Sequence, residues 1–273
     1  MQFTNVIYQI GRLDNNIKNV TFKIKDYKKE SELSSLVFKE YRQRQKNEAS
    51  HVVLLYPVSL PLNKTLINVL DPFPAFKETI MQAIEQPHSY LQNPARVFDI
   101  MPYYAEKDTY LILHSLGTYL GVEFQSSFND IILEIFLDML DRYLQQGFRH
   151  LYLDVSTGLN IYVTALLEAG RLFGTWARLR HWQNKTEAPR VHLVYTDPII
   201  GGTAEEYNIY EQDLEFKIFF SSPITRDDVK ESEFCQTLLN RIYPRSAQDQ
   251  AGKEKREQLK GLLENYVYIF SAL

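Results

Sequence analysis

Short apolar runs alternate along the chain with amphipathic stretches, and each run has the length of one strand. Residues 6–10 form such a run, which ends at Gly11, and residues 52–56 form another, which is stopped by Pro57. Between them, residues 31–45 repeat apolar side chains at helical spacing. Strands that alternate with helices are typical of an α/β fold with a mostly parallel sheet.

The same reasoning predicts the other elements. We expect strands at residues 6–10, 20–24, 52–56, 97–101, 110–113, 150–155, 191–195 and 214–220. We expect helices at residues 31–45, 74–85 and 127–146, and a further helix that begins at about residue 160 and continues to residue 171 or beyond. No internal repeat is visible in this pattern.

The composition of the chain changes near Pro223. We therefore predict an α/β domain at residues 1–222 and a helical segment at residues 223–273, with a polar break at residues 246–256. An apolar stripe continues to Leu273, which is unusual for a free terminus. We expect this stripe to dock onto the body or a partner subunit, or the natural chain to continue beyond it.

Composition and charge exclude several classes of protein. The 273 residues are 45% hydrophobic and 23% charged, which is ordinary for a soluble globular protein. The formal net charge of -4 disfavours a protein that coats duplex DNA, so an anionic ligand would need a local cluster of donors. A single Cys235, no secretory signal and no apolar stretch long enough to span a membrane predict a cytoplasmic protein.

The candidate chemistry lies in loops that follow predicted strands, where ligands bind in open α/β sheets. One loop is Gly11–Arg12, a second runs from His114 to Tyr119, and a third runs from Asp154 to Asn160. In the third loop, hydroxyls and amides lie between a strand and a helix N-terminus, which favours an anion. Simple N-capping by Ser156 or Thr157 explains the same residues equally well.

Other sites find little support in the sequence. The chain has no Walker lysine and no G-x-G-x-x-G motif, so kinase and dinucleotide-dehydrogenase functions are disfavoured. The histidines are dispersed, with no pair at the spacing of one helical turn. We therefore expect no cofactor and no metal site, and a generic metabolic enzyme remains a minor alternative.

Three segments, taken in order, carry a family resemblance. YPVSL at residues 56–60, LGTY at residues 116–119 and DVSTGLN at residues 154–160 resemble the CARF domains of type III CRISPR ancillary proteins. The resemblance is closest to the sensor half of the CARF–HEPN ribonucleases activated by cyclic oligoadenylate, and it covers roughly residues 5–220. It implies a Rossmann-like fold and a homodimer that forms one symmetric pocket for a cyclic oligoadenylate ring, with the tetra-adenylate as the expected ligand.

The resemblance also implies which residues line that pocket. A ring with two-fold symmetry suits an isologous dimer, and backbone amides can hold phosphates without a large positive net charge. Carried over by position, the candidate ligand-binding residues are Gly11, Arg12, Tyr56, Ser59, His114, Ser115, Gly117, Thr118, Ser156, Thr157, Gly158 and Asn160.

Two departures from the family pattern leave alternatives open. The ribonuclease motif R-x4-6-H is matched only from Arg44 to His51, before a predicted strand, so we expect the nuclease domain to be absent from this sequence. Ring-cleaving relatives often carry a lysine where this chain has Asn160, which cannot neutralise a developing charge. A stand-alone ring nuclease is the second hypothesis. A regulator whose residues 223–273 bind DNA or a protein is the third.

Overall fold

The computed structural model describes residues 4–13, 20–68, 70, 73–101, 109–157, 160–198, 206–214 and 252–262. The strands are β1 (Asn5–Ile10), β2 (Val20–Ile24), β3 (Tyr27–Ser31), β4 (Ser50–Pro57), β5 (Thr109–Leu113), β6 (Leu116–Tyr119), β7 (Val122–Gln125), β8 (His150–Asp154), β9 (Arg190–Thr196) and β10 (Glu206–Asp213). The helices are α1 (Ser34–Lys46), α2 (Pro74–Glu85), α3 (Pro87–Gln92), α4 (Ala95–Phe98), α5 (Phe128–Gln146), α6 (Asn160–Arg180) and α7, at residues 252–262. Short 3₁₀ turns occur at Leu60–Leu62, Lys64–Asn68 and Lys185–Glu187.

The central sheet has eight strands in the order β3-β2-β10-β9-β8-β1-β4-β5. The five strands from β9 to β5 run parallel, whereas β10 is antiparallel to β9 and β3 is antiparallel to β2. In this register Gln9 of β1 lies opposite Asp154 of β8. The prediction of an α/β fold with a mostly parallel sheet is confirmed.

Both faces of the sheet are covered, which explains why its central strands have so few polar residues. On one face, Ile7, Leu54 and Tyr152 belong to a core that includes Phe38 of α1 and residues of α2, α3 and α4. On the other face, the Tyr8 hydroxyl donates to Asp138 of α5 (2.6 Å). All residues of β1 and β4 are buried as a result.

Two predicted elements need correction. Residues 97–101 were predicted as a strand, but Val97 and Phe98 belong to helix α4, which Pro94 precedes at φ -67 and ψ -25. A short apolar run does not distinguish a buried strand from a buried helix, and this run is helical because Pro94 already has helical dihedrals. The helix predicted at residues 31–45 begins at Ser34, because Ser31 still pairs with Val20 in the sheet.

Several strands were not predicted. Strand β3 lies in a polar run without a period-two apolar pattern, and β10 follows residues 199–205, which the structure does not describe. The strand predicted at residues 214–220 lies outside the described residues except for Leu214, which is in no strand. The loop predicted from His114 to Tyr119 instead contains β6, which pairs with β7 as a hairpin.

The chain divides into two compact units. Met1–Trp176 together with Glu187–Glu215 form the first unit, which contains the sheet. Ala177–Thr186 and Phe216–Leu273 form the second unit, whose described residues are 177–186 and helix α7. No helix in the described ranges is long and apolar enough to cross a membrane. A domain boundary at residue 222 stays a prediction.

Candidate functional site

A cavity of about 1010 Å³ lies beyond the carboxyl ends of the parallel strands, and we call it the strand-end cavity. Four of its walls are formed by the segments at the carboxyl ends of β1, β4, β8 and β9, and the fifth wall is formed by the β6–β7 hairpin. The lining residues are Ile10, Gly11, Arg12, Leu13, Pro57, Ser59, Leu60, Leu62, Asn63, Lys64, Thr118, Tyr119, Leu120, Val155, Ser156, Thr157, Thr196, Asp197 and Pro198.

Strand order explains why a cavity opens at this place. From β1 the chain first adds β4 and β5 on one side, and it later adds β8 and β9 on the other side. The loops after β1 and β8 therefore diverge, which is the topological switch point where ligands bind in open α/β sheets. The cavity lies at the position that the fold class favours for a ligand.

Gln9 organises the floor beneath the strand-end cavity. Its fully buried Nε2 donates to Thr157 Oγ1 (3.0 Å) and to Ser34 Oγ (2.9 Å). Its Oε1 accepts from the Ser35 backbone N–H (3.2 Å), one of the amides that the N-terminus of α1 leaves free. One side chain thus connects β1, helix α1 and the turn after β8.

Asp154 is a buried acid in the same network. Its Oδ2 accepts from the Ser34 hydroxyl (2.7 Å), and its Oδ1 accepts from the Ser156 backbone N–H (2.9 Å). Burial raises the pKa of the Asp154 carboxyl from 3.8 to about 6, against hydrogen bonds from Ser156 and Ser34 that lower it. The carboxylate therefore holds the turn that follows β8 through hydrogen bonds alone.

The two hydroxyls of this turn differ in what they can offer to a ligand. The Thr157 hydroxyl accepts from Gln9 and donates to the Ile10 carbonyl (3.1 Å), so its proton is used inside the protein. The buried Ser156 Oγ has no hydrogen-bond partner at good geometry among the described residues. Of the two hydroxyls, that of Ser156 is the less committed, although its oxygen is buried and its interaction with Asp154 helps to lower the pKa of that carboxyl.

Charged side chains are unevenly distributed around the strand-end cavity. Among its described lining residues, Arg12 and Lys64 carry positive charge and Asp197 carries negative charge. Arg12 follows β1, exposed Lys64 follows β4, and Asp197 follows β9. Within the described ranges, no three His, Cys, Asp or Glu side chains are placed to hold a metal ion. The cavity therefore combines cations, amides and hydroxyls with one carboxylate, which suits a polar anionic ligand.

The family model described as "CRISPR system endoribonuclease Csx1, CARF domain" matches residues 5–198. The chain belongs to this family. The match begins at the first residue of β1 and includes every lining residue of the strand-end cavity. No curated protein matches the chain. Membership in this type III CRISPR family implies a sensor of cyclic oligoadenylate.

The CARF-domain structure places six of the predicted ligand-binding residues together. These residues, which all line the strand-end cavity, are Gly11, Arg12, Ser59, Thr118, Ser156 and Thr157. They come from four segments that are far apart in sequence: three follow strands of the parallel sheet, and Thr118 belongs to the β6–β7 hairpin. Their contact with a ligand stays a prediction.

Tyr56 lies in the core and not on the cavity surface. Its ring is 1% exposed and stacks on Phe98, with 5.2 Å between ring centroids. A Cβ atom at Gly11 would lie 2.0 Å from this ring. Gly11 is therefore required by the close approach of Tyr56, and contact of Tyr56 with a ligand stays a prediction.

Ser115 and His114 also lie outside the lining of the strand-end cavity. Buried Ser115 Oγ accepts from the Ser59 backbone N–H (2.9 Å), so Ser115 positions the cavity wall from behind. His114 is exposed, and its backbone N–H and its ring Nδ1 both contact Glu134 of α5. These contacts turn His114 toward α5.

Three predicted ligand-binding residues remain to be placed. Gly117 lies in β6 at φ 93, in the left-handed region that favours glycine, and it does not line the cavity. Asn160 is the exposed first residue of α6, as predicted, and is also absent from the lining. Gly158 lies outside the described residues.

Sequence reasoning missed the residues that organise the site. Gln9 was taken as part of a buried strand, and Ser34 was placed inside a helix. A glutamine within an otherwise apolar strand was the available signal, because a buried amide needs hydrogen-bond partners. Lys64, Leu120 and Asp197 gave no such signal, since loop residues reach the strand-end cavity only through the tertiary fold.

Proposed function

We propose that this CARF domain is a homodimeric sensor that binds cyclic tetra-adenylate in the strand-end cavity and thereby controls an RNase effector in type III CRISPR defence. The observation that carries the proposal is the cavity at the switch point of a CARF-family sheet, lined by donors for phosphates. Arg12 and Lys64 supply positive charge there, and Ser156 contributes a hydroxyl group to the lining.

The size of the cavity supports sharing between two chains. Small-molecule sites have volumes of about 300–1,000 Å³, and the strand-end cavity lies at the upper end of that range, at about 1010 Å³. A ring of four nucleotides is larger than the ligands for which this range holds. Two copies related by a two-fold axis would each bind half of the symmetric ring.

Recognition of phosphate in this arrangement depends mainly on dipoles. The net charge of -4 gives no general attraction for anions, so affinity must come from local amides, hydroxyls and the two lining cations. Donors that are already oriented cost little to organise when a ligand binds. The network of Gln9 and Asp154 provides this orientation by holding the turn after β8.

Titration calorimetry with cyclic tetra-adenylate and cyclic hexa-adenylate tests the proposal. We expect tight binding of the tetra-adenylate at one ring per two chains, and we expect chromatography to recover the ring intact. A matched pair of variants places the site. Ser156→Ala should weaken binding, whereas Thr164→Ala, on α6 outside the lining residues, should not. No binding of either ring would overturn the proposal, and linear products would favour the ring nuclease.

A further inference from the structure

Asp197 is the acidic residue among the described lining residues of the strand-end cavity, and its carboxylate is held in place. Oδ2 accepts from the Asn208 backbone N–H (2.8 Å) and from Asn208 Nδ2 (2.7 Å). Oδ1 accepts from the Tyr210 hydroxyl (2.8 Å). All three donors belong to two residues of β10, which pairs with β9 just before Asp197. The carboxylate is thus oriented before any ligand arrives.

Hydrogen bonding also fixes the charge of Asp197. The Asn208 backbone amide, with the Tyr210 and Asn208 side chains, lowers the pKa of the carboxyl. The group is therefore ionised at neutral pH and acts only as an acceptor. An ionised carboxylate has about four acceptor positions, so these three bonds leave capacity on Oδ1.

Strand order places Asp197 and Lys64 on opposite sides of the strand-end cavity. Asp197 follows β9 and Lys64 follows β4, with β8 and β1 between these strands. Three strand spacings separate the two loops by roughly 14 Å. Phosphates are attracted toward the cationic side and repelled from Asp197. A nucleotide in the strand-end cavity is therefore oriented by this difference in charge.

The ligand offers few partners for an acceptor-only group. In a 3′–5′-linked cyclic oligoadenylate, the hydrogen-bond donors are the adenine 6-amino groups and the ribose 2′-hydroxyls. All other polar atoms of the ring accept hydrogen bonds or carry negative charge. We propose that Asp197 is a specificity-determining residue that accepts a hydrogen bond from one of these two donors on the ligand. The inference rests on the proposed function and adds a determinant to it.

Replacing Asp197 by asparagine would put a hydrogen-bond donor where the carboxylate only accepts, which makes the inference testable. In Asp197→Asn, the amide oxygen can keep the two bonds from Asn208, while the amide nitrogen faces the Tyr210 hydroxyl and the ligand. An NH₂ group donates where the carboxylate accepted. The variant should therefore lose its preference for a donor on the ligand and tolerate an acceptor at the same place.

The experiment titrates the full chain and its Asp197→Asn variant with three rings. These are cyclic tetra-adenylate, the inosine analogue, in which a 6-oxo group replaces the amino group, and the 2′-deoxy analogue. Asp141→Asn is the matched control, because Asp141 is exposed on α5, outside the cavity lining, and its carboxylate accepts from Gln145 one helical turn away. Thermal melting of each variant checks that it is folded.

We expect the wild-type chain to lose about 10- to 100-fold in affinity for one analogue. Loss with inosine identifies the amino group as the partner, and loss with the 2′-deoxy ring identifies the hydroxyl. Asp197→Asn should bind the adenylate ring about 10- to 100-fold more weakly and discriminate far less against that same analogue. Equal discrimination by both chains, or no discrimination by the wild-type chain, would overturn the inference alone. No binding of any ring by the wild-type chain would overturn the proposed function with it.

Discussion

Asp154→Asn removes a buried carboxylate whose charge is opposed by no cation among its hydrogen-bond partners. Asp154 is 0% exposed, and burial raises its pKa from 3.8 to about 6. Between these two pH values the folded chain binds more protons at this site than the unfolded chain does. The stabilisation from Asp154 is therefore complete below about pH 4 and is lost as the pH rises to about 6 and above.

The size of this effect follows from the difference between the two pKa values. At about 1.4 kcal/mol for each pKa unit, the free energy of unfolding should fall by about 3 kcal/mol across the range. The asparagine keeps an acceptor for the Ser156 amide and lacks the titration. Relative to wild type, Asp154→Asn should therefore gain about 3 kcal/mol in stability between about pH 4 and about pH 8.

Histidines also titrate between about pH 4 and about pH 8, so their effect on the free energy of unfolding must be separated from that of Asp154. Burial lowers the pKa of His150 to about 4, and burial also lowers the pKa of His192. Their folded-state pKa values lie below the unfolded values, so they make stability rise with pH where Asp154 makes it fall. Both histidines are present in wild type and variant, and the difference between the two chains cancels them.

The assay is urea unfolding followed by far-ultraviolet circular dichroism, at one protein concentration and at several values between about pH 4 and about pH 8. Asp141→Asn, which makes the same change from carboxylate to amide at an exposed position on α5, is the matched control. A difference between Asp154→Asn and wild type that stays within about 0.5 kcal/mol over this range would refute the reasoning.

Three further substitutions test the packing around the strand-end cavity. Gly11→Ala should lower the free energy of unfolding by about 1–3 kcal/mol, because a Cβ would lie 2.0 Å from the Tyr56 ring. Urea unfolding measures this loss, and an unchanged urea midpoint would contradict the contact. Gly121→Ala should cost about 1 kcal/mol in the same assay through φ 79 alone, since no atom lies within 4 Å of the added Cβ. Thr157→Val should lower the free energy of unfolding by about 1–3 kcal/mol, because it leaves an N–H of Gln9 unpaired. Thr157→Ser keeps the hydroxyl and should lose much less. Equal losses in the two variants would exclude the hydroxyl as the cause.

Periodicity predicted those elements whose own sequence determines their form. Helix α5 is bounded by Ser127, whose side chain and Asp130 form a capping box, and by Gly147, so both ends are readable. The central strands are readable as continuous apolar runs because helices cover both faces of the sheet. Strand β3 and the β6–β7 hairpin are polar or short, and they are strands because of the segments with which they pair.

Only those parts of the candidate site that carry a sequence motif could be predicted from the sequence. The turn at Ser156 and Thr157 was found because a strand, small hydroxyl residues and a helix follow one another in sequence. Tyr56 was expected at the pocket because it lies near the end of a strand, but both faces of the sheet are covered and its ring packs against Phe98 in the core. Asp197 has no local signal, since its orientation depends on donors in β10.

The buried network explains how a chain of negative net charge can present a site for an anion. Gln9 and Asp154 use their hydrogen bonds to hold the turn after β8, and they include the Thr157 hydroxyl in that task. The Thr157 hydroxyl is therefore part of the scaffold, and Ser156 carries the less committed hydroxyl of this turn. Because the turn is oriented before binding, its dipoles can favour a phosphate without the ordering cost of a flexible loop. The buried charge of Asp154 opposes the same phosphate, so the proposed ligand should favour the protonated form of Asp154.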